Sequence, residues 1–288
     1  MNLLRATATA LRNPGMPRAY SKWIATKLLN KQGPFLQVGF GARIGQTWNS
    51  FSEYWTFRGA GSDPASAIPQ PIADLIATHL KKANGTSIAV DIGANIGAFA
   101  VAIAAAGYTE VLAFEHILAT FDRLAENIAL NNLRSRIKLN RLGIGDNECS
   151  ALMYYDPNSP ATAAVVNEPS KDVQNVSITT LDRYAAEQKI QQIDFLKIDT
   201  EGYESAVLRG AVSLLRKRAI KAILLEWCPE LLNRTGSSPE ELWRTVIDSD
   251  YRLYRIPPTG EISSPATLAE LKLISWENAI ALLYQDTN

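Results

Sequence analysis

The sequence predicts an α/β fold built on a mainly parallel sheet and preceded by an N-terminal extension. Three observations carry this expectation. From Ser87 onward, short β-rich apolar runs alternate with helical patterns, as in parallel strands joined by crossover helices. One such run, Ser87 to Ile92, passes through Gly93 and Gly97 into an Ala-rich helix. The charge also changes along the chain: before Glu53 there is no acidic residue, while Arg5, Arg12, Arg18, Lys22, Lys27, Lys31 and Arg43 are all basic.

The chain has 288 residues, 47% of them apolar, enough for a sizeable core in one large domain with an extension. The expected division is an extension over residues 1–85 and a ligand-binding domain over 86–288. A formal net charge of zero gives no general electrostatic affinity for nucleic acid. Cys149 and Cys228 are the only cysteines and have no metal-type spacing, which suits a reducing, cytoplasmic location. No apolar run reaches the roughly 18 to 20 residues of a membrane span.

In the extension, Trp23, Ile24, the Lys27 stem and Leu28 share a helical face between Tyr20 and Leu29. Such a basic helix can dock on the main domain, the favoured reading, or give residues 1–31 a peripheral contact with an anionic membrane. Acid-poor, Arg-rich N-termini also resemble transit peptides. Gly33 to Gly45 reads as short strands or a hairpin. Trp48, Phe51, Tyr54, Trp55 and Phe57 crowd together next, as a satellite core or as the wall of an acceptor pocket. Pro69 to Ala83 reads as a helix with Pro71 near its first turn and His79 on a solvated face.

The turn after Ile92 exposes the N–H groups of a helix start, and its glycines allow close approach of a ligand. A dinucleotide site asks for G-x-G-x-x-G, but from Gly93 the chain has Asn95 and Ala98 at the second and third glycine positions. The pattern is D-x-G-A-N-x-G. A carboxylate at Asp91 disfavours a pyrophosphate and suits an ammonium or sulfonium ligand. An ordinary turn with no ligand is the bland alternative.

The second strand, Glu110 to Phe114, ends in Glu115, where a carboxylate can accept hydrogen bonds from a ribose diol. A helix follows over Leu118 to Asn131. The third strand, Ile137 to Leu142, leads to Gly143, Gly145 and Asp146, which suit the edge of a flat base; Asp146 is equally ordinary turn chemistry. Ala151 to Ser170 carries three prolines and reads as a loop or hairpin. Val176 to Thr179 is a short strand before the helix Leu181 to Gln188. The fourth strand, Phe195 to Ile198, continues into Asp199, Glu201 and Glu204, three carboxylates that could hold a divalent cation, deprotonate a hydroxyl or cap the next helix. Alternation puts Lys197 on the side of Asp199. The fifth strand, Ala222 to Leu225, brings Glu226 to the same edge. Ser238 caps a helix running to Ser249, and Tyr251 to Ile256 and Ala279 to Tyr284 close the sheet. No Ser-His-Asp or zinc spacing is present.

Three blocks in order resemble the FkbM family of S-adenosylmethionine-dependent methyltransferases: VDIGANIGAFA at Val90 to Ala100, AFEH at Ala113 to His116, and DFLKIDTEGYESAVLRGA at Asp194 to Ala211. The resemblance covers roughly residues 86 to 228. It implies a Rossmann-like class I methyltransferase fold, a seven-stranded mostly parallel sheet with helices on both faces and the last strand antiparallel. It also implies that Asp91, Gly93, Asn95 and Gly97 cradle the methionine end of S-adenosyl-L-methionine. Glu115 would hold the ribose, Gly145 and Asp146 would border the adenine, and Asp199 would lie near the methyl group. The family commonly has proline where this chain has His116, which could pack on the cofactor or titrate near neutrality.

The resulting expectation is an O-methyltransferase for a small molecule, sugar or natural product. Asp199 would act as base, Glu201 or Glu226 would assist it, and Lys197 would orient it; a metal, if any, would sit among Asp199, Glu201 and Glu226. An N-methyltransferase and a non-catalytic cofactor-binding or assembly protein are the alternatives. The expected partner is a small-molecule or glycan acceptor, with no nucleic acid.

Overall fold

A computed structural model describes residues 36–45, 70–83, 85–156, 159–166, 173–256 and 264–284. The expectations for residues 1–31 and for Trp48 to Phe57 lie outside the described residues. The extension contributes strands β1 (Leu36–Gly39) and β2 (Ala42–Ile44) and helix α1 (Gln70–Lys82). The body then runs β3 (Ile88–Ile92), α2 (Ala98–Ala106), β4 (Glu110–Phe114), α3 (Leu118–Leu130) and β5 (Ile137–Asn140). An insertion follows: β6 (Gly143–Ile144), β7 (Cys149–Asp156), β8 (Ser159–Val166) and β9 (Val173–Thr179). The chain returns through α4 (Leu181–Glu187), β10 (Phe195–Ile198), α5 (Glu204–Arg209), α6 (Val212–Arg216) and β11 (Ala222–Trp227). It ends with α7 (Pro229–Arg234), α8 (Pro239–Ile247), β12 (Tyr251–Arg255), α9 (Leu268–Lys272) and β13 (Glu277–Leu283).

Seven strands form one sheet in the order β12-β13-β11-β10-β3-β4-β5. All neighbours from β11 to β5 pair parallel, and β13 runs antiparallel to both β11 and β12. This is the Rossmann-like methyltransferase arrangement, with the last strand antiparallel. The central strands are buried on both faces, which explains their nearly continuous apolar runs. Alternation divides their side chains between two cores: Ala89, Val111, Phe195 and Leu224 face one, and Val90, Leu112, Leu196 and Leu225 face the other.

Helix α2, AFAVAIAAA, has no polar residue, so an exposed face would be unfavourable. The β1–β2 hairpin supplies its cover, with Val38, Ala42 and Ile44 in the same core as Ala100 to Ala104. Asn127 on α3 ties this cover to the glycine turn. Its Oδ1 accepts from the Gly45 N–H at 2.9 Å and its Nδ2 donates to the Ile96 carbonyl at 2.8 Å.

Of the two readings of the proline-containing stretch after residue 150, loop or hairpin, the structure shows the hairpin: β7 and β8 pair antiparallel and join β9 and β6 in a second, four-stranded sheet ordered β6-β9-β7-β8. One expectation is corrected: His79 is not solvated but buried against Phe195, with ring centroids 6.3 Å apart. Burial, with Lys82 adding to it and Asp194 opposing, lowers its pKa to about 4, so it packs as a neutral ring. Among the described residues no helix is long and apolar enough to cross a membrane.

Gly210, the C-cap of α5, joins that helix to the insertion by close approach, since a Cβ there would lie 1.9 Å from the Gly145 carbonyl oxygen. Gly210→Ala is expected to cost about 1–3 kcal/mol by overpacking, read as a lowered urea midpoint with an unchanged slope; an unchanged midpoint would refute this contact.

Candidate active site

The carboxyl ends of β3, β4, β10 and β11 open into one cavity of about 570 Å³, where ligands of open α/β sheets bind. Its walls include Gly93 to Ile96, Glu115 and His116, Leu142 to Asp146, Lys197, Asp199 to Tyr203, and Glu226. The carboxylates from three strand ends thus share one space, although β4 and β11 are far apart in sequence.

The glycine turn is held from below. The N–H groups of Gly93 and Ala94 both donate to the Phe114 carbonyl, at 3.1 and 2.9 Å. Gly93 has φ 75°, and a Cβ on it would lie 1.9 Å from the Asp199 carbonyl oxygen. Asn95 also adopts a left-handed conformation, φ 51°, and its N–H donates to Glu115 Oε2 at 2.8 Å. The other Glu115 oxygen accepts from the Ile117 N–H at 2.8 Å. Each oxygen keeps a further lone pair with which to accept from a vicinal diol.

Asp91 does not line the cavity. It is fully buried beneath the turn, its Oδ1 3.3 Å from Lys197 Nζ, and neither oxygen receives a well-formed hydrogen bond. The reason is strand register: Lys197 on β10 is paired opposite Asp91 on β3, so the acid meets a side chain of the sheet. Lys197 Nζ also reaches Asp199 Oδ2 at 3.2 Å and the Gly93 carbonyl at 3.2 Å, and lies 4.9 Å from the centre of the Phe99 ring. Burial opposes the lysine's charge, but Asp199 and Asp91 outweigh it and raise its pKa. Burial raises the Asp91 pKa, with Lys197 opposing.

The three acids after β10 separate by role. Glu204 is the internal cap: its Oε1 accepts from the Thr200 N–H and hydroxyl, both at 2.9 Å, and from the Gly202 N–H at 3.2 Å. Asp199 faces the cavity beside Lys197. Glu201 has a left-handed backbone, φ 56°, and its carboxyl lines the cavity. Burial first, then Asp199 and Glu204, push its pKa up to about 8. Glu226 accepts from the indole N–H of Trp276 through Oε1, while Oε2 is enclosed without a hydrogen bond. Burial, then Asp199 and Glu201, push its pKa up to about 9. As a metal centre the trio does not hold: among the described residues no three His, Cys, Asp or Glu side chains are grouped to bind a metal ion. Asp199 instead pairs with Lys197, and Glu226 with Trp276.

At the other end, Asp146 Oδ2 pairs with Arg209 at 2.7 Å and the Gly145 N–H donates to the Thr179 carbonyl at 3.0 Å. His116 is at the wall, but burial lowers its pKa despite Glu115, contrary to a group that titrates near neutrality. Sequence reasoning missed Phe99, Trp276, Arg209 and the contribution of the second sheet through Cys149, Ala151, Met153 and Ile178. Nothing in one sequence links Trp276 to Glu226 across 50 positions.

S-adenosylmethionine, the group implied by the sequence, fits these residues. The glycine turn leaves no room for side chains on its lower side, Glu115 retains acceptor capacity for hydroxyls, and Asp146 Oδ1 is outside the Arg209 contact. The model of the family described as "Methyltransferase FkbM domain" matches residues 91–253, more than half of the chain. The chain is 26% identical over 152 residues to methyltransferase sdnD of Sordaria araneosa, covering 42% of this chain and 59% of that protein. It is 26% identical over 196 residues to the hexuronic acid methyltransferase AglP of Haloferax volcanii, covering 67% of this chain and 75% of that one. Among solved structures it is similar to methyltransferase FkbM from Methylobacillus flagellatus, with TM-score 0.42 and 18% identity over 68% of this chain and 43% of the other.

The raised acids predict a pH dependence of stability. The folded chain holds protons on Glu201 and Glu226 up to about pH 8 and 9, whereas carboxyls of the ordinary value 4.5 release them when unfolded. Between those limits the folded state binds more protons, so stability falls as pH rises. Glu226→Gln should therefore melt above the native chain near pH 9 and converge with it near pH 4.5; a gap independent of pH would contradict the assignment.

Proposed function

The chain belongs to the FkbM methyltransferase family, and on that premise we propose that it is an S-adenosylmethionine-dependent O-methyltransferase acting on a hydroxyl of a small molecule or sugar. The single observation that carries this reading is the Lys197–Asp199 pair opening into the same cavity as the glycine turn, with Asp199 Oδ2 held 3.2 Å from the ammonium. When bound, the cofactor supplies an electrophilic methyl on a sulfonium. The protein's part is to hold an acceptor in line and to remove its proton.

In this mechanism Glu115, itself oriented by the Asn95 N–H, would hold the ribose end of the cofactor, and Asp146 and Gly145 would border its base. Asp199 takes the proton from the acceptor hydroxyl as its oxygen attacks. Lys197 orients Asp199 and, being a buried cation, stabilises negative charge on the acceptor oxygen. Activation is assigned to the Asp199 carboxylate, which faces the cavity beside Lys197. The printed name of the Haloferax volcanii relative, a hexuronic acid methyltransferase, supports a sugar-type acceptor. The chain spans only about 59% of the length of the sdnD relative, so activity and acceptor are taken from the site rather than transferred whole.

Asp199→Asn keeps the shape and a hydrogen-bonding group but removes the base. With an acceptor identified from a panel of hydroxylated sugars and labelled cofactor, methyl transfer should fall at least about 100-fold. Affinity for S-adenosylhomocysteine should change little. Native-level turnover in the variant would remove Asp199 from the mechanism.

A further inference from the structure

Arg209, at the last position of α5, lines the cavity at the end away from Lys197. Its guanidinium meets Asp146 through two N–H groups, Nε at 3.1 Å and Nη2 at 2.7 Å, and both donate to the same oxygen, Oδ2. A guanidinium more often engages a carboxylate as a fork, with one N–H on each oxygen. Here Asp146 Oδ1 is left outside the pair. The remaining arm of Arg209, Nη1, pairs with Glu241 on α8. Glu241 is fixed in turn: its Oε2 accepts from the Ser237 hydroxyl at 3.0 Å, and its N–H donates to the Ser238 hydroxyl at 3.1 Å. Arg209 is thus held from behind while it holds one oxygen of Asp146.

The backbone under Asp146 is fixed as well. Gly210 packs against the Gly145 carbonyl, and the Gly145 N–H donates to the Thr179 carbonyl at 3.0 Å. What remains free in such a turn is side-chain rotation, and Arg209 removes it. The three charged side chains are partly exposed, so as ion pairs they contribute little to stability. Their order matters for where Asp146 points. The cavity at this end is otherwise walled by Leu142, Ile144, Ala151, Met153 and Ile178, with Asn147 as the adjoining polar group. Apolar walls of this kind suit the faces of a planar base, and the few polar groups among them set its identity. A carboxylate only accepts hydrogen bonds. Adenine offers it a donor, the exocyclic amine. Hypoxanthine has a carbonyl oxygen at that position, with a ring N–H beside it.

We propose that Arg209 is a positioning residue that makes the site select adenine: by holding Asp146 Oδ2 it aims Oδ1 at the exocyclic amine and prevents it from turning to the neighbouring ring N–H of a deaminated base. This rests on the methyltransferase reading and deepens it, from a cavity that borders a base to one that reads it. Glu241 and Ser237 act on the base through Arg209, which they keep in place.

Calorimetry on the full chain at neutral pH tests this by comparing S-adenosylhomocysteine with S-inosylhomocysteine, which carries hypoxanthine in place of adenine. The native chain should bind S-adenosylhomocysteine at least about tenfold tighter, because the deaminated base leaves the carboxylate facing an acceptor. Arg209→Met frees Asp146 to turn, and Arg209→Lys keeps the charge but puts a point donor in place of the planar guanidinium. In both variants the ratio should fall to about threefold or less. Asp146→Asn has an amide that can donate to the hypoxanthine carbonyl, and should bring the ratio to about one. Continued binding of S-adenosylhomocysteine by each variant shows that it folds. A merely structural role for Arg209 would weaken both ligands alike and leave the ratio where it was. A ratio that stays at the native value in either Arg209 variant or in Asp146→Asn therefore overturns the proposal, as does a native ratio below about tenfold. Those outcomes leave the methyltransferase reading intact, whereas a native chain that binds neither compound overturns both.

Discussion

The site depends on one buried cation. Lys197 is 4% exposed and stands on a central strand, where an isolated ammonium would be strongly unfavourable. Its neighbours are therefore obligatory: Asp91 from β3, Asp199 from its own strand end, and the carbonyl of Gly93. Together they lock the first turn of the cofactor cradle to the first acid of the acceptor side. Backbone contact repeats the same link, since Gly93 packs so closely on Asp199 that no side chain fits between them. A displacement of either strand end would have to move both functions of the cavity together.

The same cation explains how the remaining acids behave. Lys197 is shared between two carboxylates and the Gly93 carbonyl. Glu204 is buried but receives three hydrogen bonds from the turn it caps, so it has a structural reason to be there. Glu201 and Glu226 have neither a cation nor a full set of donors, and their carboxyls are the ones pushed up to about 8 and 9. The acids at and after these strand ends thus divide into a cap, a lysine-paired acid and two carboxyls that burial first, then neighbouring acids, push up to about 8 and 9.

The parallel strands were legible because burial on both faces leaves an apolar run that little else produces. The strand ends were legible because Gly93, Glu115 and Asp199 each interrupt such a run with a residue that a core would not choose. Packing between distant segments was not legible. β7 and β8 form a sheet whose pattern is broken by prolines, and its wall residues Ala151, Met153 and Ile178 look like any other apolar positions. His79 has the sequence neighbourhood of a surface residue, and only the docking of α1 against Phe195 buries it. The all-apolar α2 did hint that something covers it; that the hairpin at Leu36 to Ile44 does so depends on tertiary contact.

Asp91 shows how a charge argument from sequence can name the residue and misplace its action. The carboxylate before the first glycine was read as the group that meets a cationic ligand. In the fold its cation is Lys197, brought opposite it by parallel register, and solvent does not reach either oxygen. Its influence on the cavity passes through that lysine. If Asp91 were uncharged, Lys197 would have Asp199 as its sole anionic partner and would lose part of the attraction that offsets its burial. The acid under the turn and the acid at the mouth therefore act as one electrostatic unit with the lysine between them, and of the two only Asp199 reaches the cavity wall.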